Sequence, residues 1–262
     1  MLSQQLETIV RDAGDIILNA KRPQVTQKEG HYNFVTQTDV QVQEFLRGEL
    51  LRLLPGSKLL AEEQENQRLG NEPTWIVDPI DGTINFMRGR DFSAVSVALM
   101  EWGVPVLGVV YNPFTREMYT AKKGEGAQLN GQPIQVSDLP FDKALVTIGT
   151  SPYSPALAVK NMRAATQALL TAGDLRRSGS AALDLCWVAS GRSEFYFEFQ
   201  VSPWDYAAGA LILTEAGGQV YQPLDDGFDF GRTACLLGTN PPCAQEALKL
   251  IRDADEGRLA FQ

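Results

Sequence analysis

Histidine is almost absent from this chain of 262 residues, since His31 is its only one. A single histidine excludes zinc sites built from several imidazoles, and it disfavours a Ser-His-Asp catalytic triad. Cysteine is also scarce: Cys186, Cys235 and Cys243 make an odd count, and no signal-peptide pattern follows the first residue. These features predict a reducing environment and a cytoplasmic protein.

Long apolar runs and clusters of basic residues are missing as well. No apolar stretch approaches the roughly 18–20 residues that a membrane-spanning helix needs. The net charge is −9, and no run of lysine and arginine indicates a nucleic-acid or membrane surface. We therefore expect neither nucleic acid nor membrane as a partner. An acidic protein that acts on a phosphate must supply local positive charge, and a metal ion would do so.

Patterns of apolar residues predict two halves of different architecture. The first half begins with an amphipathic helix over residues 3–20 and contains a run of antiparallel strands from Ser93 onward. In the second half helices and strands alternate, which indicates an α/β arrangement. We place the boundary after residue 139, which predicts an α+β domain over residues 1–139 and an α/β domain over residues 140–262.

A polar segment over residues 24–38 separates the first two predicted helices. Thr38 or Asp39 is expected to cap the second helix, because side-chain oxygens at that position accept hydrogen bonds from free N–H groups. Long polar loops are usually functional. The lone His31 within this loop is expected to be a solvated side chain.

The most informative stretch runs from Trp75 to Phe86 and has the sequence WIVDPIDGTINF. Its apolar start predicts a buried strand that ends at Asp78, and Pro79 restricts that aspartate to an extended backbone. Asp81 follows three residues later. Burying two ionised carboxylates together is unfavourable without a counter-charge, and a divalent cation is the simplest one.

Further acids come at the ends of predicted elements. Glu62 and Glu63 end a strand, and Asp205 lies in the first turn of an apolar helix. Taken singly, Glu63 would be explained as a solvated acid at a strand end, and Asp205 as an acid that interacts favourably with the helix dipole. Together, oxygen ligands without histidine or cysteine favour Mg²⁺, Mn²⁺ or Ca²⁺ over Zn²⁺. Because Gly82 and Thr83 would present N–H groups to an anion, the set predicts a metal-assisted phosphoryl site.

Four blocks of the chain resemble the inositol monophosphatase family in their order and spacing. They are NFVTQTD at 33–39, AEE at 61–63, DPIDGTINF at 78–86 and WDYAAG at 204–209. The resemblance implies a layered αβαβα sandwich of the magnesium-dependent, lithium-sensitive sugar phosphatases. It also implies two or three Mg²⁺ ions with Mn²⁺ as a substitute, a small phosphorylated polyol as substrate, and a homodimer.

The resemblance further implies roles for single residues. The implied metal ligands are Glu63, Asp78, the main-chain oxygen of Ile80, Asp81 and Asp205. The implied catalytic residues, of which the first two orient and activate the attacking water, are Asp39, Thr83 and Glu63. The implied substrate contacts are Gly82, Thr83, Gly179, Ser180, Ala181, Glu198 and Asp205. Lys28 falls where the family carries a loop lysine near the metals.

Departures from the family pattern concern the substrate rather than the chemistry. Ile84 replaces a frequent threonine that is not a ligand, residues 87–91 are unusually charged, and residues 201–203 lack the usual glycine-led segment. The last two segments are expected near the sugar pocket. The form of the motif at residues 78–86 favours myo-inositol monophosphate as the substrate, and the alternatives are histidinol phosphate, NADP, 3′-phosphonucleotides and fructose bisphosphate.

Other classes of protein share parts of these patterns. Cys186 to Ser193 fits the Cys-x5-Arg-Ser motif of cysteine phosphatases, but Cys186 lies in an apolar helical pattern and is expected to be a buried thiol. The Asp-Gly-Thr segment resembles haloacid-dehalogenase phosphatases, whose aspartates are separated by one residue, whereas here two intervene. A third class is a non-catalytic regulatory protein that binds a sugar or phosphate. Core or interface packing is expected for Trp75, Trp102, Trp187 and Trp204.

Overall fold

The computed structural model describes residues 2–20, 25–27, 34–62 and 69–258. Within these ranges the strands form a sheet of seven strands, a sheet of five and a separate pair. No helix in these parts of the chain has both the length and the apolar character needed to cross a membrane. The predictions for Lys28, His31 and Glu63 lie outside the described residues.

Two helices form the N-terminal part of the molecule. The first, α1, spans Leu2–Asn19, which confirms the amphipathic helix predicted there, and the second, α2, spans Gln37–Leu53. Between them, β1 (Val25–Gln27) pairs antiparallel with β2 (Phe34–Thr36).

The predicted cap of α2 is wrong, because the cap is Thr36. The Thr36 hydroxyl accepts a hydrogen bond from the Asp39 N–H, and the Asp39 carboxylate accepts one from the Thr36 N–H at 2.8 Å. This reciprocal capping box places Asp39 inside the first turn of the helix and fixes its side chain.

The larger sheet follows α2. Its strands lie in sequence order, β3 is parallel to β4, and all other neighbours are antiparallel, which confirms the antiparallel run predicted from Ser93. A short helix, α3 (Thr83–Met87), directly follows β4. The seven strands are β3 (Lys58–Ala61), β4 (Thr74–Asp81), β5 (Ala94–Glu101), β6 (Val104–Asn112), β7 (Glu117–Lys122), β8 (Ala127–Leu129) and β9 (Gln132–Ile134).

The smaller sheet and four helices come from the remainder of the chain. The strands are β10 (Leu145–Ile148), β11 (Asp174–Arg176), β12 (Phe195–Val201), β13 (Gln219–Tyr221) and β14 (Ala234–Thr239), in the spatial order β11-β10-β12-β14-β13. The helices are α4 (Ala158–Thr171), α5 (Ala181–Ala189), α6 (Pro203–Glu215) and α7 (Ala244–Asp255).

The helices and sheets stack in five layers. Helices α1 and α2 pack on one face of the larger sheet, α5 and α6 fill the space between the two sheets, and α4 and α7 cover the far face of the smaller sheet. Neighbouring residues of β4 show the alternation, since Trp75 joins the core beneath α1 and α2 whereas Ile76 joins the core beneath α5 and α6. The αβαβα sandwich is thus confirmed, while the domain boundary after residue 139 stays a prediction.

The tryptophans divide between the core and the surface. Trp75 is fully buried, and Trp187 and Trp204 are half-buried against the central core. Trp102 is 76% exposed, so it does not pack in the core of the chain, and interface packing stays the prediction for this residue. It forms the turn between β5 and β6 together with Gly103, and both have positive φ, as a two-residue type I′ hairpin turn requires.

Candidate active site

The turn from β4 to α3 is the structural centre of the site. All eight residues of β4 are buried, and the strand continues past Asp78 to Asp81, with a shift of its register against β5 between them. The strand was predicted to end at Asp78. The irregular pairing replaces a clean strand end because Pro79 has no N–H for the ladder.

Gly82 makes the change of direction after the strand possible. Its φ is +89°, a left-handed conformation that favours glycine, and a Cβ there would lie 2.7 Å from the Phe92 main-chain oxygen. The Asn85 side chain then donates to the main-chain oxygens of Phe92 at 2.7 Å and of Ser178 at 3.1 Å. These bonds tie the β4–α3 turn to the segment that precedes α5.

Three aspartates from two distant parts of the chain meet beside this turn. Oxygen atoms of Asp78, Asp81 and Asp205 all lie within 4.8 Å of one another. Asp205 reaches the group from the first turn of α6, where its carboxylate accepts from the Ser202 N–H at 2.8 Å. Asp81 accepts from the Ser180 hydroxyl at 2.6 Å. Each carboxylate is therefore held by a donor while it lines the same cavity.

The cluster carries uncompensated negative charge. No lysine or arginine among the described residues forms an ion pair with these three aspartates. Burial, and then the nearby charge of Glu62, raise the pKa of Asp78 well above its ordinary value. Burial likewise raises the pKa of Asp205 and that of Asp81, the latter to about 6. A bound cation would compensate the charge that no described residue compensates.

The donor set fits a hard divalent ion. Carboxylate oxygens are the ligands that Mg²⁺ prefers, and neither histidine nor cysteine lines the cavity among the described residues. The main-chain oxygen of Ile80, also predicted as a ligand, lies between Asp78 and Asp81 in sequence and 3.1 Å from the Thr83 hydroxyl. Asp78, Ile80, Asp81 and Asp205 are thus brought together by the fold.

Glu62 lies in the site in addition to the predicted acids, while Glu63 lies outside the described residues and stays a predicted ligand. Glu62 lines the cavity, and its charge contributes to the raised pKa of both Asp78 and Asp205. Its position follows from the parallel pairing of β3 with β4, in which Ala61 is opposite Val77, so the next residues along both strands are Glu62 and Asp78. The strand register was the signal that could have selected Glu62.

Thr83 and Asp39 meet at the edge of the aspartate cluster. The Thr83 hydroxyl lies 3.3 Å from Asp39 Oδ1 and can donate its single proton there or to Ile80. The other oxygen of Asp39 accepts from the Thr36 N–H and hydroxyl, and the residue is fully buried. The capping box of α2 therefore aims Asp39 at Thr83.

The residues predicted to contact the sugar also line this cavity. Gly179, Ser180, Ala181 and Glu198 all line the cavity. Glu198 is held by three donors, the Ser151 N–H at 2.6 Å, the Ser151 hydroxyl at 2.9 Å and the Tyr196 hydroxyl at 2.8 Å. Gly149 is required beside it, because a Cβ there would lie 1.7 Å from the carboxylate.

The cavity has a volume of about 330 Å³, within the usual range for small-molecule sites. Gly82, Thr83 and Ser202 line it, whereas residues 87–91 do not, so their expected influence on the sugar stays a prediction. Lining residues that the sequence analysis missed are Phe34, Glu62, Thr150, Tyr153, Arg177, Asp184 and Gln200.

The Cys-x5-Arg-Ser motif is not part of this site. Cys186 is fully buried inside α5, and burial raises the pKa of its thiol well above the ordinary value. A thiolate nucleophile needs the opposite environment. The prediction of a buried, structural Cys186 is confirmed.

Comparison with known proteins agrees with this geometry. The model of the inositol monophosphatase family matches residues 2–256. The chain belongs to this family. Among curated relatives, inositol monophosphatase 2 of Solanum lycopersicum is 40% identical over 229 residues, which cover 84% of this chain and 86% of that protein. The protein named Nus factor SuhB of Xylella fastidiosa is 37% identical over 218 residues, covering 80% and 78%.

Solved structures of the inositol monophosphatase family share the whole fold. The inositol monophosphatase of Thermotoga maritima superimposes with a TM-score of 0.87 at 29% identity, over 95% of this chain and 96% of that one. An inositol monophosphatase/NADP phosphatase in complex with Mg²⁺ and phosphate gives a TM-score of 0.82 at 26% identity, over 94% and 91%. Family members are thus known to hold Mg²⁺ and phosphate.

Proposed function

We propose that this protein is a Mg²⁺-dependent phosphomonoesterase that hydrolyses myo-inositol monophosphate to inositol and phosphate. The observation that carries the proposal is the uncompensated cluster of Asp78, Asp81 and Asp205 beside the Thr83–Asp39 pair. A cation in the cluster would neutralise the buried carboxylates, and a phosphate ester would add the remaining oxygen ligands that Mg²⁺ usually takes.

The chain's own residues have distinct tasks in this proposal. Asp78, Asp81, Asp205, the main-chain oxygen of Ile80 and an acid of the Glu62–Glu63 pair would hold two or three Mg²⁺ ions, with Mn²⁺ as a substitute. Bound Mg²⁺ would acidify water and stabilise charge on the phosphate and leaving oxygen. Gly82 and Thr83 line the cavity, and their N–H groups would bind phosphate oxygens.

Proton transfer belongs to the Thr83–Asp39 pair in this proposal. The Thr83 hydroxyl accepts a hydrogen bond from the attacking water while it donates to Asp39, so the proton passes towards the carboxylate. Asp39 is buried and held by Thr36, which keeps its Oδ1 directed at Thr83. Water attacks phosphorus directly, and no residue of the chain becomes phosphorylated. The acid-nucleophile alternative of the haloacid-dehalogenase type predicts a phosphoaspartate instead.

We propose that the part of the cavity formed by Glu198 and the Gly179–Ala181 segment determines specificity for the polyol. Glu198 and the Gly179–Ala181 segment line the cavity where a sugar would extend from the phosphate. A relative from the same family has been solved with inositol monophosphate bound. By the same resemblance we propose a cytoplasmic homodimer that Li⁺ inhibits; a staphylococcal relative has been solved as an inhibitory complex soaked in LiCl.

The test is phosphate release from myo-inositol monophosphate in Mg²⁺, with EDTA as the blank. We expect turnover that EDTA abolishes, and comparison of kcat/KM with histidinol phosphate, NADP, a 3′-phosphonucleotide and fructose bisphosphate ranks the substrates. Asp81→Asn and Asp205→Asn should lose activity together with Mg²⁺ affinity. Full activity of Asp205→Asn would overturn the assignment of the metal site.

A non-catalytic regulatory role is the second candidate, because some relatives carry the name Nus factor SuhB. The described residues retain the three clustered aspartates and the Thr83–Asp39 contact, which a purely binding protein does not need. Absence of turnover with every substrate above, in a folded protein that still binds Mg²⁺, would favour the regulatory role.

A further inference from the structure

Ser178 and Asp184 form a buried polar pair at the start of α5, and neither takes part in the proposed hydrolysis. The Ser178 hydroxyl donates to Asp184 Oδ2 at 2.7 Å and accepts from the Ser180 N–H at 3.0 Å. Its single proton can also be directed at the Ser180 main-chain oxygen, but that distance is longer, 3.2 Å. The pair therefore fixes the turn that leads into α5.

Ser180 connects this turn to the aspartate cluster. Its hydroxyl donates to Asp81 Oδ2 at 2.6 Å, and the Ala182 N–H donates to the same oxygen at 2.7 Å. Ser180 is also the cap of α5, because its hydroxyl accepts from the Leu183 N–H at 3.3 Å. Hydrogen bonds to an ionised carboxylate are among the stronger ones in proteins. The first turn of α5 thus sets the orientation of the Asp81 carboxylate.

Ser178 is bonded to the β4–α3 turn as well. Its main-chain oxygen accepts from the Asn85 side chain at 3.1 Å, and the same amide group donates to the main-chain oxygen of Phe92. Ser178 therefore joins the two parts of the chain between which Asp81 lies, through its hydroxyl on the α5 side and through its main-chain oxygen on the α3 side. A displacement of Ser178 would change how α5 is seated against the turn that carries Asp81.

The contacts of Asp184 identify Ser178 as its partner. No other hydrogen bond of the Asp184 side chain is found among the described residues, and its Oδ1 is buried without a partner there. Burial raises the pKa of this carboxyl well above its ordinary value. The bond to Ser178 can form in both protonation states, because a neutral carboxyl group can donate to the serine oxygen. Burying an acid in this way costs free energy, and its structural effect is to fix Ser178.

We infer that Ser178 and Asp184 are positioning residues for the metal ligand Asp81, because they hold Ser180 where its hydroxyl orients the Asp81 carboxylate for Mg²⁺. The inference rests on the Mg²⁺ site of the proposed function and adds the residues that support one of its ligands. Removing a group that orients a metal ligand typically lowers metal affinity or activity about 10- to 100-fold. The pair is expected to act at the lower end of that range, because Ser178 reaches Asp81 through Ser180.

The experiment measures the dissociation constant for Mg²⁺ alone by isothermal titration calorimetry, in the unmodified protein and in Ser178→Ala. We expect binding to be about 10-fold weaker in the variant. The Mg²⁺ concentration that gives half-maximal phosphate release should rise by the same factor. Saturating Mg²⁺ should restore most of kcat, because the ligands themselves are intact.

Ser137→Ala is the matched control. The Ser137 hydroxyl also donates to a buried carboxylate, that of Glu194, at 2.8 Å, and it also accepts from the N–H two residues further along, at 3.0 Å. Neither Ser137 nor Glu194 lines the cavity. This variant should lower the melting temperature about as much as Ser178→Ala does and leave the dissociation constant for Mg²⁺ unchanged.

Two variants of Asp184 test the pair from its other side. Asp184→Asn keeps an acceptor for the Ser178 hydroxyl, so it should retain more Mg²⁺ affinity than Asp184→Leu, which has a similar size and no acceptor. Thermal melting establishes that each variant is folded, and the two Asp184 variants decide the question if Ser178→Ala is not.

An unchanged dissociation constant for Mg²⁺ in folded Ser178→Ala, or equal effects of Asp184→Asn and Asp184→Leu, would overturn the inference and leave the proposed hydrolysis intact. Weaker Mg²⁺ binding in Ser178→Ala, combined with no turnover of any substrate by the unmodified protein, would support the inference and refute the proposed hydrolysis. If the unmodified protein does not bind Mg²⁺, both fail together.

Discussion

At the scale of single residues, Thr83 allows the sharpest separation of catalysis from metal binding. Its hydroxyl contacts Asp39, but the side chain is not one of the clustered carboxylates. We expect Thr83→Ala to lower kcat about 100- to 10,000-fold, as for loss of a general acid–base group, with thermal stabilisation by Mg²⁺ retained. Thr83→Ser, which keeps the hydroxyl, is the control. Loss of Mg²⁺ stabilisation in Thr83→Ala would instead make Thr83 part of the metal site.

The cysteines provide a second prediction at this scale. Cys186, Cys235 and Cys243 are all buried and free, and burial raises the pKa of each thiol. Because the thiolate is the reactive form, iodoacetamide should leave all three unmodified in the native protein and modify them in denaturant. Mass spectrometry with a parallel assay tests this. Rapid modification of native Cys186 with loss of activity would support the cysteine-phosphatase chemistry.

The acids of the site differ in how well they could be predicted from the sequence. Asp78 and Asp81 could be predicted because they follow an apolar run, and burying two ionised carboxylates together is unfavourable without a counter-charge. Asp205 could be predicted only with the help of the family resemblance, since an acid in a first helical turn is usually a dipole complement. Glu62 was missed because its position beside Asp78 follows from the register of β3 against β4, which long-range pairing decides.

At the scale of elements, the β4–α3 turn depends on one glycine. Gly82 combines a left-handed backbone with a tightly packed position, whereas Gly89 has φ of +66° and no atom within 4 Å of its Cβ position. Gly89→Ala should therefore cost about 1–2 kcal/mol of unfolding free energy, from backbone strain alone. Gly82→Ala should cost more, because the Phe92 oxygen must also move, and it should lose activity.

Urea unfolding with a phosphate-release assay measures both effects. Circular dichroism establishes that each variant keeps its helices and sheets. Equal costs for Gly82→Ala and Gly89→Ala would mean that the Phe92 contact has no energetic role, and that strain alone explains both glycines.

Elements were easier to predict than their ends. The apolar pattern identified α1, which buries one stripe, and the strands β5 and β6, which are apolar runs buried along almost their whole length. The start of α2 was missed by two residues or more, because both Thr36 and Thr38 are suitable caps and only the reciprocal bond with Asp39 distinguishes them. The end of β4 was missed because an irregular register lets the strand continue past Pro79.

At the scale of the whole molecule, the apolar content of a helix indicated whether the helix lies between the two sheets or on the outside. Most residues of α6 are buried, as expected for a helix covered by a sheet on each side, whereas α1 buries one stripe. The spatial order of the smaller sheet could not be read from periodicity. It places β12 between β10 and β14, and these pairings join residues far apart in the chain.

The negative cluster also predicts how stability depends on pH without metal. A carboxyl whose pKa is raised on folding binds its proton more tightly in the folded state, so its contribution to stability is lost as pH rises through that pKa. Burial raises the pKa of Asp81 to about 6, and burial together with the charge of Glu62 raises the pKa of Asp78. In EDTA we expect the melting temperature to fall as pH rises from about 4 through about 6, and Mg²⁺ to remove most of that decline. A melting temperature independent of pH in EDTA would contradict it.

Asp205→Asn separates this charge repulsion from a loss of packing. The asparagine oxygen can still accept from the Ser202 N–H, so the first turn of α6 keeps its cap. In EDTA at neutral pH the variant should melt no lower than the unmodified protein, because one buried charge has been removed. Saturating Mg²⁺ should raise the melting temperature of the unmodified protein by roughly 5–10 °C and that of the variant much less. Asp226→Asn, at an exposed position, should behave like the unmodified protein. If the charge of Asp205 belongs to the metal site, the variant must lose both the repulsion in EDTA and the stabilisation by Mg²⁺. A variant that melts lower in EDTA but is stabilised by Mg²⁺ as much as the unmodified protein would show that Asp205 is only a structural cap.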